Sequence, residues 1–106
     1  MAKLGDFLVQ YTYRVERSDR DEVLKLLAKI ADHADELGLA SFEAWSDDAD
    51  EGTFTELHGY DSWSHWKRLA DRGPDPSMRG VYERLDALVV GGMAAIEARQ
   101  WRPLSV

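Results

Sequence analysis

The stretch TFTELHGYDSWSHWKRLA, residues 53–70, decides the fold, because it takes a short strand directly into a helix that carries two tryptophans. Residues 53–58 are predicted to be the strand. Asp61 or Ser62 then supplies the side-chain oxygen that caps a helix N-terminus. Trp63 and Trp66 fall on one side of that helix, because successive residues turn by about 100°. The other elements are predicted relative to this pair.

Two strands and one helix are predicted before this stretch. Residues 7–15 alternate aromatic and β-branched side chains with other types, which is the period of a strand. A helix follows from about Ser18 to Leu37, with acids at its start and Gly38 as its end. Residues 39–45 form a second strand. The acidic turn at residues 47–52 joins it to the next strand, and Gly52 is expected to supply the positive φ of a hairpin.

The end of the chain contributes one more helix and a last strand. Residues 72–76, RGPDP, end the tryptophan helix, because proline cannot continue it. Ser77 opens a third helix that the Gly91-Gly92 pair ends, and residues 95–104 read as a strand on which Glu97, Arg99 and Trp101 share a face. This order predicts an α+β fold: a ferredoxin-like split βαβ unit with a four-stranded antiparallel sheet and helices on one face. Residues 1–106 are one domain.

The predicted sheet presents a second face that no helix covers. Trp45, Phe54 and Trp101 alternate with small or apolar residues, so we expect large side chains on both faces. An apolar face of that size is unusual in water, and its burial contributes about 25 cal/mol per Å². We therefore predict a homodimer in which two sheets stack about a two-fold axis.

Composition excludes several classes of partner and chemistry. A net charge of −7 repels phosphate backbones and anionic lipid, so neither nucleic acid nor membrane is expected as a partner. The chain has no cysteine, which removes disulfides, thiolate metal sites and cysteine nucleophiles. No run approaches the roughly 20 apolar residues that span a bilayer, and residues 1–10 do not resemble a leader. A cytoplasmic location is the expectation.

The strand TELH at residues 55–58, the turn DSWSHW at residues 61–66 and the order of elements over essentially the whole chain resemble the antibiotic biosynthesis monooxygenase family of the dimeric α+β barrel superfamily. Glu56 lies at the family's common strand glutamate, and His58 stands where the family usually has tryptophan. The resemblance implies a dimeric α+β barrel and the chemistry of its members, which include cofactor-free monooxygenases of polycyclic aromatic phenols and haem-degrading enzymes. The haem-degrading branch places its ligating histidine near residues 72–79, where this chain has none. We therefore expect no cofactor.

His58 and Trp66 are the candidate catalytic residues. His58 ends a strand facing the helix, and histidine titrates near neutral pH, so it is the best general base in the chain. The alternative is an ordinary hydrogen-bonded histidine at a strand end. Three histidines without HxH or HxxxH spacing predict no metal site.

Five further residues are candidates for substrate binding. Trp63 joins Trp66 as the wall of an aromatic slot for a planar substrate, unless both tryptophans only fill the core. Tyr82, Tyr11 and Tyr13 would add hydroxyls to that slot. Arg99 either anchors an anionic substrate or, with Glu43, Glu56, Glu97 and Arg14, forms ion pairs between stacked sheets.

Two functions follow from these candidates. The first is a cofactor-independent monooxygenase of an aromatic or phenolic metabolite, because an electron-rich phenolate reduces dioxygen directly. The second is a non-catalytic or stress-associated homodimer that binds a hydrophobic metabolite or another protein. An open cavity that reaches Trp66 and His58 favours the first function, and solid packing there favours the second.

Overall fold

The computed structural model describes residues 5–106. The strands within these residues are β1 (Phe7–Arg14), β2 (Ser41–Ser46), β3 (Thr53–Tyr60) and β4 (Glu97–Trp101). The α-helices are α1 (Arg20–Asp32), α2 (Trp63–Arg72) and α3 (Arg79–Leu88). Short 3₁₀ turns lie at Arg17–Asp19, Pro76–Met78 and Met93–Ala95. The element order is the predicted one.

The strands form one antiparallel sheet in the order β2-β3-β1-β4. β1 and β3 are central, and their register pairs Phe7 with Tyr60 and Tyr13 with Phe54. Buried side chains from α1 and α3 pack against Tyr13 and Phe54, while α2 packs near Phe7. All three helices therefore cover the same face. This confirms the predicted α+β fold with a split βαβ order.

The first helix is shorter than predicted. α1 buries the expected apolar stripe, Val23, Leu26, Leu27 and Ile30. It ends at Asp32 rather than Leu37, and residues 33–38 form turns. In these turns the Leu39 N–H donates to the Ala34 carbonyl at 2.9 Å, and Gly38 takes a φ of 80°. The turn thus satisfies backbone groups that a longer helix would have paired internally.

The second helix begins where predicted, whereas the third begins later and ends earlier than predicted. The Ser62 hydroxyl accepts the His65 N–H at 3.1 Å and caps α2, as predicted. Ser77 does not open α3; instead the Asp75 carboxylate accepts the Ser77 N–H at 2.9 Å and begins the 3₁₀ turn. α3 ends at Leu88, before Gly91, because the chain there pairs back onto β1 through the Val15–Val89 bridge.

The last strand is also shorter than predicted, at Glu97–Trp101 instead of residues 95–104. Residues 93–95 form a 3₁₀ turn, in which the Asp86 carboxylate accepts the Met93 N–H at 2.7 Å. The strand lies at the edge of the sheet, and each of its residues is exposed.

Large strand residues lie on both faces of the sheet, as predicted. Phe54 is 3% exposed on the helix side, whereas Trp45 and Trp101 lie on the uncovered face. Trp45 and Trp101 are 60% and 46% exposed. Between them the central strands present polar groups, since the hydroxyls of Thr12 and Thr55 are hydrogen bonded at 3.1 Å.

No helix within residues 5–106 has the length and apolar character needed to cross a membrane.

Candidate active site

Two adjoining cavities lie between the helices and the sheet. The first, of about 570 Å³, is bounded by β1, β3, α3 and the loop that leads to β4. The second, of about 640 Å³, lies between β3, α2 and the loop that follows α2. Both volumes are in the range of small-molecule sites. The residues that line both cavities are Tyr11, His58, Tyr60, Pro74 and Tyr82.

A buried carboxylate and an imidazole meet at the first cavity. Glu56 and His58 are two residues apart on β3, so both side chains point toward the helices. His58 Nε2 lies 2.9 Å from Glu56 Oε1. The Tyr13 hydroxyl donates to Glu56 Oε2 at 2.5 Å. Both carboxylate oxygens are therefore paired, although Glu56 is only 6% exposed.

The expected ion pairing of Glu56 between stacked sheets was wrong. Its side chain lies on the helix side, because β3 alternates and Phe54, two residues earlier, is in the core. Tyr13 and His58, and not an arginine of a sheet interface, pair with the carboxylate.

The His58 ring is held between two other aromatic rings. Tyr11 meets it edge-on at 4.9 Å between centroids, and Phe42 does so at 5.2 Å. Within residues 5–106, Nδ1 of His58 has no hydrogen-bond partner. When Nε2 donates its proton to Glu56, Nδ1 carries the lone pair. A residue with a nitrogen that can accept a proton, and with a carboxylate beside its ring, therefore lines both cavities.

The tyrosines of the site are held in their neutral form. Burial raises the pKa of Tyr11, Tyr60 and Tyr82. The nearby Glu56 carboxylate further raises the pKa of Tyr11 and Tyr82. For Tyr13, burial is again the largest cause of a raised pKa, followed by the charge of Glu56 and the hydrogen bond to it. At neutral pH these side chains are therefore O–H donors.

Most of the residues predicted for the site line one or both cavities, but Trp63 and Arg99 do not. Trp66 lines the second cavity, and its ring centroid is 5.4 Å from that of Phe7. Trp63 lines neither cavity and is 42% exposed, because it begins α2 and only residues further along that helix reach the sheet. Arg99 pairs with Gln10 in the register of β4 and β1, which places it on the uncovered face of the sheet.

Sequence reasoning missed two contributions to the site. Tyr60 was not among the candidates, and Glu56 was not recognised as the partner of His58. A signal for both was available, because strand alternation places residues 56, 58 and 60 on one face of β3. Tyr13 was expected to offer its hydroxyl to a ligand, whereas the hydroxyl is donated to Glu56.

Comparison with known proteins shows a likeness of fold and a low identity of sequence. No protein-family model matches the chain, and no curated protein matches it. A solved antibiotic biosynthesis monooxygenase is 11% identical, with a TM-score of 0.73 over 93% of this chain and 99% of that one. A provisional antibiotic biosynthesis monooxygenase from Deinococcus radiodurans is 14% identical, with a TM-score of 0.72 over 94% of each chain.

A variant of SnoaB, a cofactor-independent oxygenase from Streptomyces nogalater, is 12% identical to this chain. Its TM-score is 0.71, and the match covers 96% of this chain and 97% of that one. The likeness in each case spans the whole arrangement of strands and helices. The chain therefore has the α+β fold of the antibiotic biosynthesis monooxygenase-like proteins.

Proposed function

We propose that the protein is a small-molecule enzyme, a cofactor-independent monooxygenase of an aromatic or phenolic compound. The observation that carries the proposal is the pair formed by the buried Glu56 and the partly buried His58 at a cavity of about 570 Å³. A cofactor-independent oxygenase of the same fold, SnoaB, supports the reaction type.

His58 performs the first step of the proposed reaction. Its Nδ1 accepts the proton of the substrate phenol, and the neighbouring Glu56 carboxylate stabilises the imidazolium that forms. The Tyr11 and Phe42 rings hold the imidazole in place. Trp66 supplies an aromatic wall in the adjoining cavity against which a planar substrate packs.

The oxidation balances without a second reductant. The phenolate gives one electron to dioxygen, and the resulting phenoxyl radical and superoxide combine to form a carbon–oxygen bond. Protonation gives a hydroperoxide, which loses water as its O–O bond breaks and the ring carbon loses its hydrogen. The conversion of a phenol to a quinone is a four-electron oxidation. One dioxygen accepts these electrons: one of its atoms becomes the new quinone oxygen, and the other leaves as water.

Dioxygen uptake with a panel of electron-rich phenols tests the proposal. The wild-type protein is expected to consume one dioxygen per quinone formed. Replacing the base in the His58→Gln variant is expected to lower kcat by about 100-fold or more. Arg68→Ala, on the exposed side of α2, is the matched control and retains the wild-type rate. Equal turnover by His58→Gln would overturn the assignment of the base.

Binding at the aromatic wall has its own matched pair of variants. Trp66 lines a cavity and Trp63 does not, although they lie three residues apart on α2. A phenol that enters the site is expected to quench tryptophan fluorescence in the Trp63→Phe variant but not in Trp66→Phe. Phenol binding without turnover by the wild-type protein would instead favour the non-catalytic ligand-binding homodimer.

We also propose that the protein is a homodimer whose subunits pair through the uncovered face of the sheet. The supporting observation is the exposure of Trp45 and Trp101 on that face. Their indole rings offer apolar area, and the threonines of the central strands lie between them.

A further inference from the structure

Three tyrosines from three different elements converge where the two cavities join. Tyr11 comes from β1, Tyr60 from β3 and Tyr82 from α3, and each lines both cavities. Among residues 5–106, the nitrogen-bearing titratable side chain that lines both cavities is that of His58. A ligand that spans the junction therefore meets three phenol rings and the imidazole together.

The hydroxyls of these tyrosines differ from that of Tyr13 in one respect. Tyr13 donates to Glu56, whereas within residues 5–106 the hydroxyls of Tyr11, Tyr60 and Tyr82 make no hydrogen bond. Tyr60 is only 8% exposed. A tyrosine hydroxyl that lines a cavity and has no protein partner can donate to a ligand oxygen that enters that cavity.

The environment also keeps these hydroxyls protonated. Burial raises the pKa of all three tyrosines. The neighbouring Tyr82 further raises the pKa of Tyr11, and Tyr11 and Tyr82 together raise the pKa of Tyr60. The charged groups that act on them are the carboxylates of Glu56 and Asp75. Neutral O–H donors in a desolvated site stabilise an oxygen that gains negative charge during a reaction.

We propose that Tyr11, Tyr60 and Tyr82 form an oxyanion-binding site that holds the ionised oxygen of the substrate while His58 holds the proton it has lost. The inference rests on the proposed role of His58 and specifies the substrate class: a planar phenol or an enolisable ketone. In the first case the proton passes from the phenol oxygen to Nδ1. In the second it passes from the carbon next to the carbonyl, and the electron pair of that C–H bond moves to the enolate oxygen.

The same site then has an activity that needs no dioxygen. Proton transfer to His58 is reversible, so an enolisable ketone would exchange its α-hydrogen with solvent in the absence of oxygen. The negative charge of the enolate faces the Glu56 carboxylate, but the protonated His58 lies 2.9 Å from that carboxylate and offsets it.

The ionisation state of bound 4-nitrophenol tests the proposal directly. The nitro group makes this phenol too electron-poor for oxidation, and its phenolate is distinguished by visible absorption. At a pH where the free compound is neutral, the wild-type protein is expected to bind it as the phenolate. Tyr11→Phe, Tyr60→Phe and Tyr82→Phe are each expected to weaken phenolate binding by about tenfold or more, because each removes one donor to a charged oxygen.

Two controls separate the hydroxyls from the fold and from the base. The methyl ether 4-nitroanisole cannot ionise, so the three tyrosine variants are expected to bind it as the wild type does. This result shows that their cavities are intact. His58→Gln is expected to bind 4-nitrophenol in its neutral form only.

Each alternative outcome has a distinct meaning. Phenolate binding that is unchanged in all three tyrosine variants but lost in His58→Gln would overturn the oxyanion site and leave the base in place. Neutral 4-nitrophenol bound to the wild type would overturn the oxyanion site, and the dioxygen assay then decides the proposed function by itself. Loss of phenolate and of 4-nitroanisole together would assign the tyrosines to the fold and also overturn the inference.

Discussion

At the scale of single residues, the candidate site depends on the Glu56 carboxylate. One of its oxygens accepts from Tyr13 and the other meets His58, so a group that is expensive to bury has a partner on each side. The same two contacts fix the carboxylate in one orientation. The stability of the core and the orientation of the His58 ring therefore depend on the same contacts.

Tyr13→Phe tests this dependence. The substitution keeps the ring in the core but leaves Glu56 Oε2 buried without its donor. We expect the free energy of unfolding in urea to fall by about 1–3 kcal/mol. We also expect a lower kcat with little change in KM, because in the proposed reaction Tyr13 acts only through Glu56 and His58. An unchanged free energy of unfolding would contradict the buried hydrogen bond.

The four tyrosines of the chain predict an alkaline limit to stability. Folding raises the pKa of each above the ordinary value of 10.0. The neutral form is thus favoured in the folded state, and this contribution is complete below pH 10 and is lost as pH rises through the folded values. Tyrosinate absorption is expected to appear above pH 10 together with unfolding. Its appearance near pH 10 with an unchanged near-ultraviolet circular dichroism spectrum would count against this.

At the scale of elements, the turn between β2 and β3 shows why local rules give incomplete answers. Gly52 was expected for its positive φ, but it does not take one. The actual constraint is contact across the chain: a Cβ at Gly52 would lie 2.9 Å from the Val15 carbonyl oxygen. The Gly52 carbonyl in turn accepts the Val15 N–H at 2.8 Å. The need for glycine arises from packing against β1.

Two glycine-to-alanine substitutions distinguish a glycine that close packing requires from one that it does not. Gly52→Ala forces the turn and the backbone of Val15 apart, so we expect a lower melting temperature. Gly80 lies in α3, and nothing lies within 4 Å of an added Cβ. Gly80→Ala is expected to raise the free energy of unfolding by up to about 1 kcal/mol, because alanine favours a helix. The account of Gly52 would be wrong if both variants were equally stable.

The prediction of elements from sequence succeeded where periodicity was long and failed where tertiary contacts intervened. The stripe of α1 and the alternation of β1 identified the core face of each element. The ends of α1 and α3 were wrong, because a turn at residues 33–38 and the Val15–Val89 bridge compete with helical hydrogen bonds. Neither this turn nor this bridge can be recognised from the local sequence of the helix that it ends.

At the scale of the whole molecule, the two faces of the sheet present different surfaces. The helix side contains both cavities, and the other side exposes Trp45 and Trp101. The order of elements sufficed to predict this layering. It did not suffice to decide which strand residues face which side, so Glu56 was expected at the sheet interface. Nor did it show that Trp63, at the start of α2, lies away from both cavities.

The proposed dimer makes a prediction at this scale. Trp101→Glu places a charge on the uncovered face of the sheet, and Leu24→Glu places one on an exposed position of α1. We expect the wild type and Leu24→Glu to sediment as dimers and Trp101→Glu as a monomer, because an unpaired charge is expensive to bury. A wild-type protein that sediments as a monomer at micromolar concentration would contradict the proposal.

The most direct test of the proposed site is a crystal structure of the protein with a phenol that cannot be oxidised. The account predicts that the phenol lies between the helices and the sheet, with its oxygen within about 2.6–3.2 Å of His58 Nδ1. A phenol bound outside both cavities, or one whose oxygen points away from His58, would contradict the assignment of the active site.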